Sequence, residues 1–217
     1  MIEKPHKTIE LMLPSPAGEL EALLMLPEAE EHNIAAVVCH PHPLYGGSMH
    51  TKVVVTVSHA FLDAGIPSLR FNFRGVGKSS GRYDNGRGEL DDVRAAIDYM
   101  TERYERLIVA GHSFGAWMGM RAGCEDERVL MIIGIGTPVN FADMGFLRDC
   151  AKPKIFIHGT MDKLIPIGKV EELFTEIPEP KKFVKIEGAD HFFTGKLDEL
   201  EGAVRDLVEK YSLAQGL

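Results

Sequence analysis

Apolar residues fall into two textures along this chain. Near the start, Thr8 to Leu13 and Leu20 to Leu26 are short strand-like runs. Between them lies Pro14-Ser15-Pro16-Ala17-Gly18, turn chemistry that predicts an antiparallel hairpin. Further on, short apolar runs alternate with segments of helical period. Ile34 to Cys39, Ser68 to Phe73, Leu107 to Ala110, Val129 to Ile135, Lys154 to Ile157 and Phe183 to Ile186 read as strands. Thr51 to Ala64 (ended by Gly65), Glu89 to Arg103, a segment from Phe114, Gly168 to Thr175 and Leu197 to Tyr211 read as helices. In the second of these, Leu90, Val93, Ala96, Ile97 and Met100 share one face. Strands apolar on both faces need helices on both sides, which is the texture of a parallel sheet. With right-handed crossovers, the pattern predicts a doubly wound α/β sheet carrying an N-terminal hairpin. Ligands of such sheets bind beyond the carboxyl ends of the strands.

Composition narrows the class of partner. The 217 residues suit one domain over 1–217, and 45% apolar with 26% charged residues is ordinary for a globular protein. A formal charge of −8 with no basic cluster argues against a nucleic-acid surface. Residues Met1 to Lys7 lack the apolar core of a signal peptide, and no stretch approaches membrane-spanning length. Cys39, Cys124 and Cys150 are scattered without a C-x-x-C pair or an even disulfide framework, so a reducing cytoplasm is expected.

The chemistry gathers at strand ends. Gly111-His112-Ser113-Phe114-Gly115 follows Leu107 to Ala110 directly and leads into a helix, the sequence form of a nucleophile elbow. A serine hydroxyl needs a base, and the base needs an orienting acid. Asp162 lies just past Lys154 to Ile157, and His191 just past Phe183 to Ile186. The order Ser113, Asp162, His191, each beyond a strand, is the one expected of an acyl-transfer triad on this kind of sheet. Asp143 and Asp149 are competing acids, whereas Asp190, beside the histidine, points elsewhere in an ordinary loop. One oxyanion donor should be the amide of Phe114. The second should come from the loop after Cys39, where Pro41 and Pro43 have no N–H to give, leaving His42, Leu44 or Tyr45.

These residues, with His40-Pro41-His42-Pro43-Leu44-Tyr45-Gly46-Gly47-Ser48-Met49 and Arg70-Phe71-Asn72-Phe73-Arg74-Gly75-Val76-Gly77-Lys78-Ser79, carry a resemblance. From about Ala35 to the C-terminal helix the chain resembles the α/β-hydrolases. It is similar in particular to a compact, lidless bacterial group related to the dienelactone hydrolases, with serine where those enzymes carry cysteine. The resemblance implies that Ser113 attacks an acyl carbon, His191 shuttles the proton, Asp162 holds the imidazolium and His42 supplies the second oxyanion amide. Caps in this superfamily are usually inserted after the strand corresponding to Val129 to Ile135, and Gly136 to Lys152 is too short for one.

Three other patterns fall away. His40, His42 and His50, broken by two prolines, match no known metal-ligand spacing and are read as shaping the oxyanion loop. Gly77-Lys78-Ser79 fails as a P-loop because the motif's first glycine would fall at Asn72. Gly75-Val76-Gly77 is not a dinucleotide fingerprint, since its spacing to Gly81 is wrong. Met118, Met120, Met131 and Trp117 read as core or cleft lining. The expectation is therefore a cytoplasmic serine hydrolase of carboxylesterase type, acting on small-molecule esters without cofactor or metal, nucleic acid or membrane. Its oligomeric state is left open, a homodimer included. Leu44, Tyr45, Phe141 and Phe192 are expected to bind substrate, with Met144, Phe146 and Phe193 as further apolar walls. A thioesterase, a small-amide hydrolase and a non-catalytic binding module on the same scaffold are the alternatives.

Overall fold

The computed structural model describes residues 6–28 and 33–215; residues 1–5, read above for a leader, lie outside them. Among the described residues the strands are β1 (His6–Ser15), β2 (Gly18–Pro27), β3 (Ile34–Cys39), β4 (Ser68–Phe71), β5 (Arg106–His112), β6 (Val129–Ile135), β7 (Lys154–Gly159) and β8 (Lys181–Ile186). They form one sheet in the order β1-β2-β4-β3-β5-β6-β7-β8. β1 and β2 make the antiparallel hairpin, β2 runs antiparallel to β4, and every pairing from β4 to β8 is parallel.

Each central strand feeds two cores, because successive side chains point to opposite faces. On β3 and β5, Ala35, Val37, Leu107 and Val109 face one core; Ile34, Ala36, Val38, Ile108 and Ala110 face the other. The first is covered by α2 (Arg87–Thr101) and α3 (Phe114–Glu125), with α4 (Ile167–Glu176) over β7. The second is covered by α1 (Lys52–Asp63) and α5 (Leu197–Gln215), through Val53, Val57, Phe61, Leu200 and Val204. Among the described residues, no helix is long and apolar enough to cross a membrane.

Some boundaries differ from the sequence reading, for local reasons. β4 stops at Phe71 because the Phe73 N–H leaves the ladder to donate to His40 Nε2 at 3.0 Å. α2 starts at Arg87, earlier than expected, because Glu89 reaches back to accept from the Gly86 N–H at 2.7 Å. β8 begins at Lys181 and carries exposed Lys182 and Lys185, charges that suit an edge strand but blur its apolar pattern.

Two of the three scattered cysteines are paired, against expectation. Cys124 at the end of α3 and Cys150 before β7 form a disulfide across a Cα–Cα distance of 5.7 Å, so two of the three cysteines are not unrelated. Spacing could not reveal this, because the crossover through β6 brings the two ends together. Cys39 is free and buried, and burial pushes its thiol pKa up, away from nucleophilic chemistry.

Candidate active site

Ser113 sits between β5 and α3 with φ 55° and ψ −117°, a left-handed backbone that few non-glycine residues adopt. The turn is this tight because its neighbours are glycines. A Cβ on Gly111 would overlap the Gly115 carbonyl, and one on Gly115 would overlap the Cys39 carbonyl. The Ser113 N–H donates to Ile135 O at 2.9 Å, fastening the elbow to β6. Its hydroxyl has no hydrogen-bond partner among the described residues and opens on a cleft of about 600 Å³ that His191 also lines.

Asp162 follows β7, and its carboxylate is used at both oxygens. Oδ1 accepts from the N–H groups of Leu164 and Ile165 at 2.9 and 2.8 Å; Oδ2 accepts from His191 Nδ1 at 2.7 Å. Burial pushes the Asp162 pKa up, but the hydrogen bonds from His191 and Ile165 and the nearby imidazoles outweigh it and hold the group below its ordinary value. An ionised acceptor keeps the proton on Nδ1, so Nε2 presents its lone pair and can take a proton. Asp143 closes a turn on the Gly145 N–H, and Asp190 does the same on Phe192 and Thr194; Asp149 has no bond to the imidazole. Asp162 is the acid that reaches His191.

The candidate oxyanion donors sort by elimination. The Leu44 N–H donates to His42 Nδ1, and the Tyr45 N–H donates to His42 O. The N–H groups of His42 and Phe114 have no partner among the described residues, and both residues line the cleft. Phe114 is also the first residue of α3, where helix geometry leaves N–H groups unpaired and the dipole favours negative charge.

Buried neutral histidines hold these loops. His40 donates from Nδ1 to Pro41 O at 2.6 Å and accepts from the Phe73 N–H, bracing the loop after β3 against the segment after β4. That segment is braced in turn by Asn72, which accepts from the Met49 N–H and donates to Glu21. His158 donates from Nε2 to Ile165 O at 2.8 Å, in the loop whose amides hold Asp162. His50 is exposed, and no metal-binding cluster occurs among the described residues.

The cleft wall departs from expectation in part. Tyr45, Phe141 and Phe192 line it, as does Trp117. Leu44 is 66% exposed and does not line it, because its N–H is drawn back to the His42 ring. Met144, Phe146 and Phe193 are not walls either: Met144 and Phe146 pack in the α2–α3 core, and Phe193, at 0% exposure, fills the α1–α5 core. Met118, Met120 and Met131 are core residues. The sequence reading missed Tyr83, Pro138, Ala142 and Leu164. Tyr83 lies in a loop with no period to read, and its hydroxyl meets His42 Nε2 at 3.2 Å. The connection from β6 to β7 holds only the 3-10 turn Gly145–Arg148, so no cap covers the mouth.

The buried histidines set a pH dependence of stability. Burial lowers the pKa of His40 to about 4 and that of His112 to about 3, and lowers that of His158, from an ordinary 6.5. Below pH 6.5 the unfolded chain binds protons that the folded chain refuses, so stability is lost as pH falls through this window. The thermal midpoint should drop steadily from about pH 6.5 to about pH 5.5, above the range where most exposed carboxylates titrate. A flat midpoint would contradict the neutral-histidine assignment.

Comparison with known proteins agrees with this fold. The family model described as Serine aminopeptidase, S33 matches residues 32–152. An uncharacterized protein of Rickettsia prowazekii is 36% identical over 182 residues, 79% of this chain and 76% of the relative. An α/β serine hydrolase homologue from Coxiella burnetii superposes with a TM-score of 0.87 at 36% identity, covering 91% of this chain and 96% of its own. A lidless α/β serine hydrolase from Xanthomonas campestris superposes at 0.88 with 33% identity, covering 95% and 96%. The chain belongs to this family of α/β serine hydrolases, within its lidless, compact form.

Proposed function

We propose that the protein hydrolyses small carboxylic esters through an acyl-enzyme on Ser113. The observation that carries this reading is the Asp162–His191 hydrogen bond at the rim of the cleft into which the Ser113 hydroxyl opens. In the first half-reaction Ser113 Oγ bonds to the ester carbonyl carbon while His191 Nε2 takes the hydroxyl proton. The carbonyl oxygen gains charge against the amides of Phe114 and His42. Collapse expels the alcohol, which leaves with the proton from His191. In the second half, water loses a proton to His191, attacks the acyl carbon and releases the acid.

The lining favours uncharged substrates. Among the described residues that form the cleft wall, none is Asp, Glu, Lys or Arg. Recognition of an α-ammonium, the task of an aminopeptidase, calls for a carboxylate near the scissile bond. This wall offers aromatic rings instead, with Tyr45, Phe141 and Phe192 standing 86%, 69% and 58% exposed around an uncovered mouth. Esters fit that wall better than free peptides.

Two outcomes are expected. A fluorophosphonate probe should label the wild type and not Ser113→Ala, with turnover of p-nitrophenyl butyrate lost by at least ~10³-fold. Labelling that survives the substitution would remove Ser113 from the mechanism, and no labelling of the wild type would favour a non-catalytic binding module. Against p-nitrophenyl butyrate, the mono-p-nitrophenyl ester of succinate and the p-nitrophenyl ester of 4-aminobutyrate should each lose roughly 100-fold in kcat/KM, about 3 kcal/mol of unpaired charge. Equal turnover of all three would rule out a neutral cleft as the basis of selection.

A further inference from the structure

His112 occupies the variable position of the elbow, directly before the serine, where the motif itself demands no side chain. It closes β5 and is buried. From there its Nε2–H donates to the main-chain carbonyl of His191 at 2.9 Å, across 79 residues of sequence. The two imidazole rings lie 5.0 Å apart with an interplanar angle of 36°. Gly136 lies against the edges of both rings: a Cβ there would stand 3.1 Å from His191 Cε1 and 3.5 Å from His112 Cδ2. The His191 ring thus packs against His112 and a glycine that leaves room for both, with its Nδ1–H committed to Asp162.

The cost of this arrangement argues for its purpose. His112 Nδ1 is buried with no hydrogen-bond partner, so the ring leaves an acceptor unpaired in the core. A methionine or phenylalanine would fill the space without that loss. What they could not supply is the Nε2 donor. Asp162 fixes the rotation of the His191 ring, but the main chain from which the ring hangs needs its own anchor.

Resting on the reading of Ser113 as nucleophile and His191 as base, we propose that His112 is a positioning residue for the reaction. Its bond to the His191 carbonyl ties the base to the same turn that presents the hydroxyl, so that one element sets the separation of the two reacting groups. The groups facing His112 are His191, Asp162 and His158, together with the rings of Phe192 and Phe193. Burial, reinforced by the His191 imidazole, keeps His112 neutral, with its pKa lowered to about 3. The donor therefore persists wherever the base is active.

Two substitutions of similar length separate the donor from the volume. His112→Gln keeps an N–H near the Nε2 position, whereas His112→Met fills the space without one. His112→Met should lower kcat on p-nitrophenyl butyrate roughly 10- to 100-fold, the scale of a small misplacement, with KM changed less than about twofold. His112→Gln should recover most of that loss, and fluorophosphonate labelling rates should follow kcat in both. A merely structural role would move stability and leave Gln no better than Met. His112→Met at the wild-type rate, or Gln and Met falling equally, would overturn the inference while Ser113-dependent turnover of the wild type still upheld the enzyme. A wild type without Ser113-dependent turnover would overturn both. Imidazole ¹⁵N NMR of the wild type gives a test that needs no variant to fold: His112 should remain the Nε2–H tautomer from pH 5 to pH 8. An Nδ1–H tautomer or an imidazolium there would reject the bond.

Discussion

A 2.7 Å hydrogen bond between Asp162 and His191 is simple chemistry and demanding architecture. Its partners hang from loops after different strands, and loops carry most of a fold's freedom. Parallel register removes part of that freedom, since β5, β6, β7 and β8 end at one rim. The rest is removed by buried polar side chains. His40 holds the loop after β3, His158 the loop after β7 and His112 the loop after β8, each by donating a ring N–H to a backbone carbonyl. Burial keeps all three rings neutral, and a neutral imidazole offers one donor that is stiff and short. The arrangement trades acid tolerance for precision.

The same logic runs through the segment Arg70 to Ser79. Its glycines suggest phosphate binding at first sight, yet the atoms point inward. Asn72 ties Met49 to Glu21, Ser79 donates to Asn72 O at 2.7 Å, and Arg74 forms a paired contact with buried Asp92 at 2.8 Å. A Cβ at Gly77, whose φ is +57°, would strike Glu21 and Asn72. The segment is a brace for the loop bearing His42, and its glycines mark close approach, not a ligand.

What could be read from the chain follows from period and position. The strands, the hairpin and the placing of Ser113, Asp162 and His191 beyond strands rest on apolar runs whose ends are visible in the sequence. Side-chain direction within loops has no such period. Phe192 and Phe193 are adjacent, yet one stands at the cleft mouth while the other, at φ 55°, turns into the core. Met144 and Phe146 go inward for the same reason, and Tyr83 goes unseen because its loop is ordered by Glu89 and Asp92 from the following helix. The Cys124–Cys150 pair depends on a crossover that spacing does not encode. His112 is hidden differently: its role lies in a contact with a carbonyl, an atom that every residue carries.

The proposed hydrolysis depends on Ser113 forming a covalent acyl bond. Rapid mixing with excess p-nitrophenyl acetate tests it directly, read together with the mass of the acid-quenched protein. The prediction is a burst of one p-nitrophenol per active chain and a gain of one acetyl group on the peptide containing Ser113. A linear release with no adduct, together with undiminished turnover by Ser113→Ala, would show that water attacks the ester without a serine intermediate.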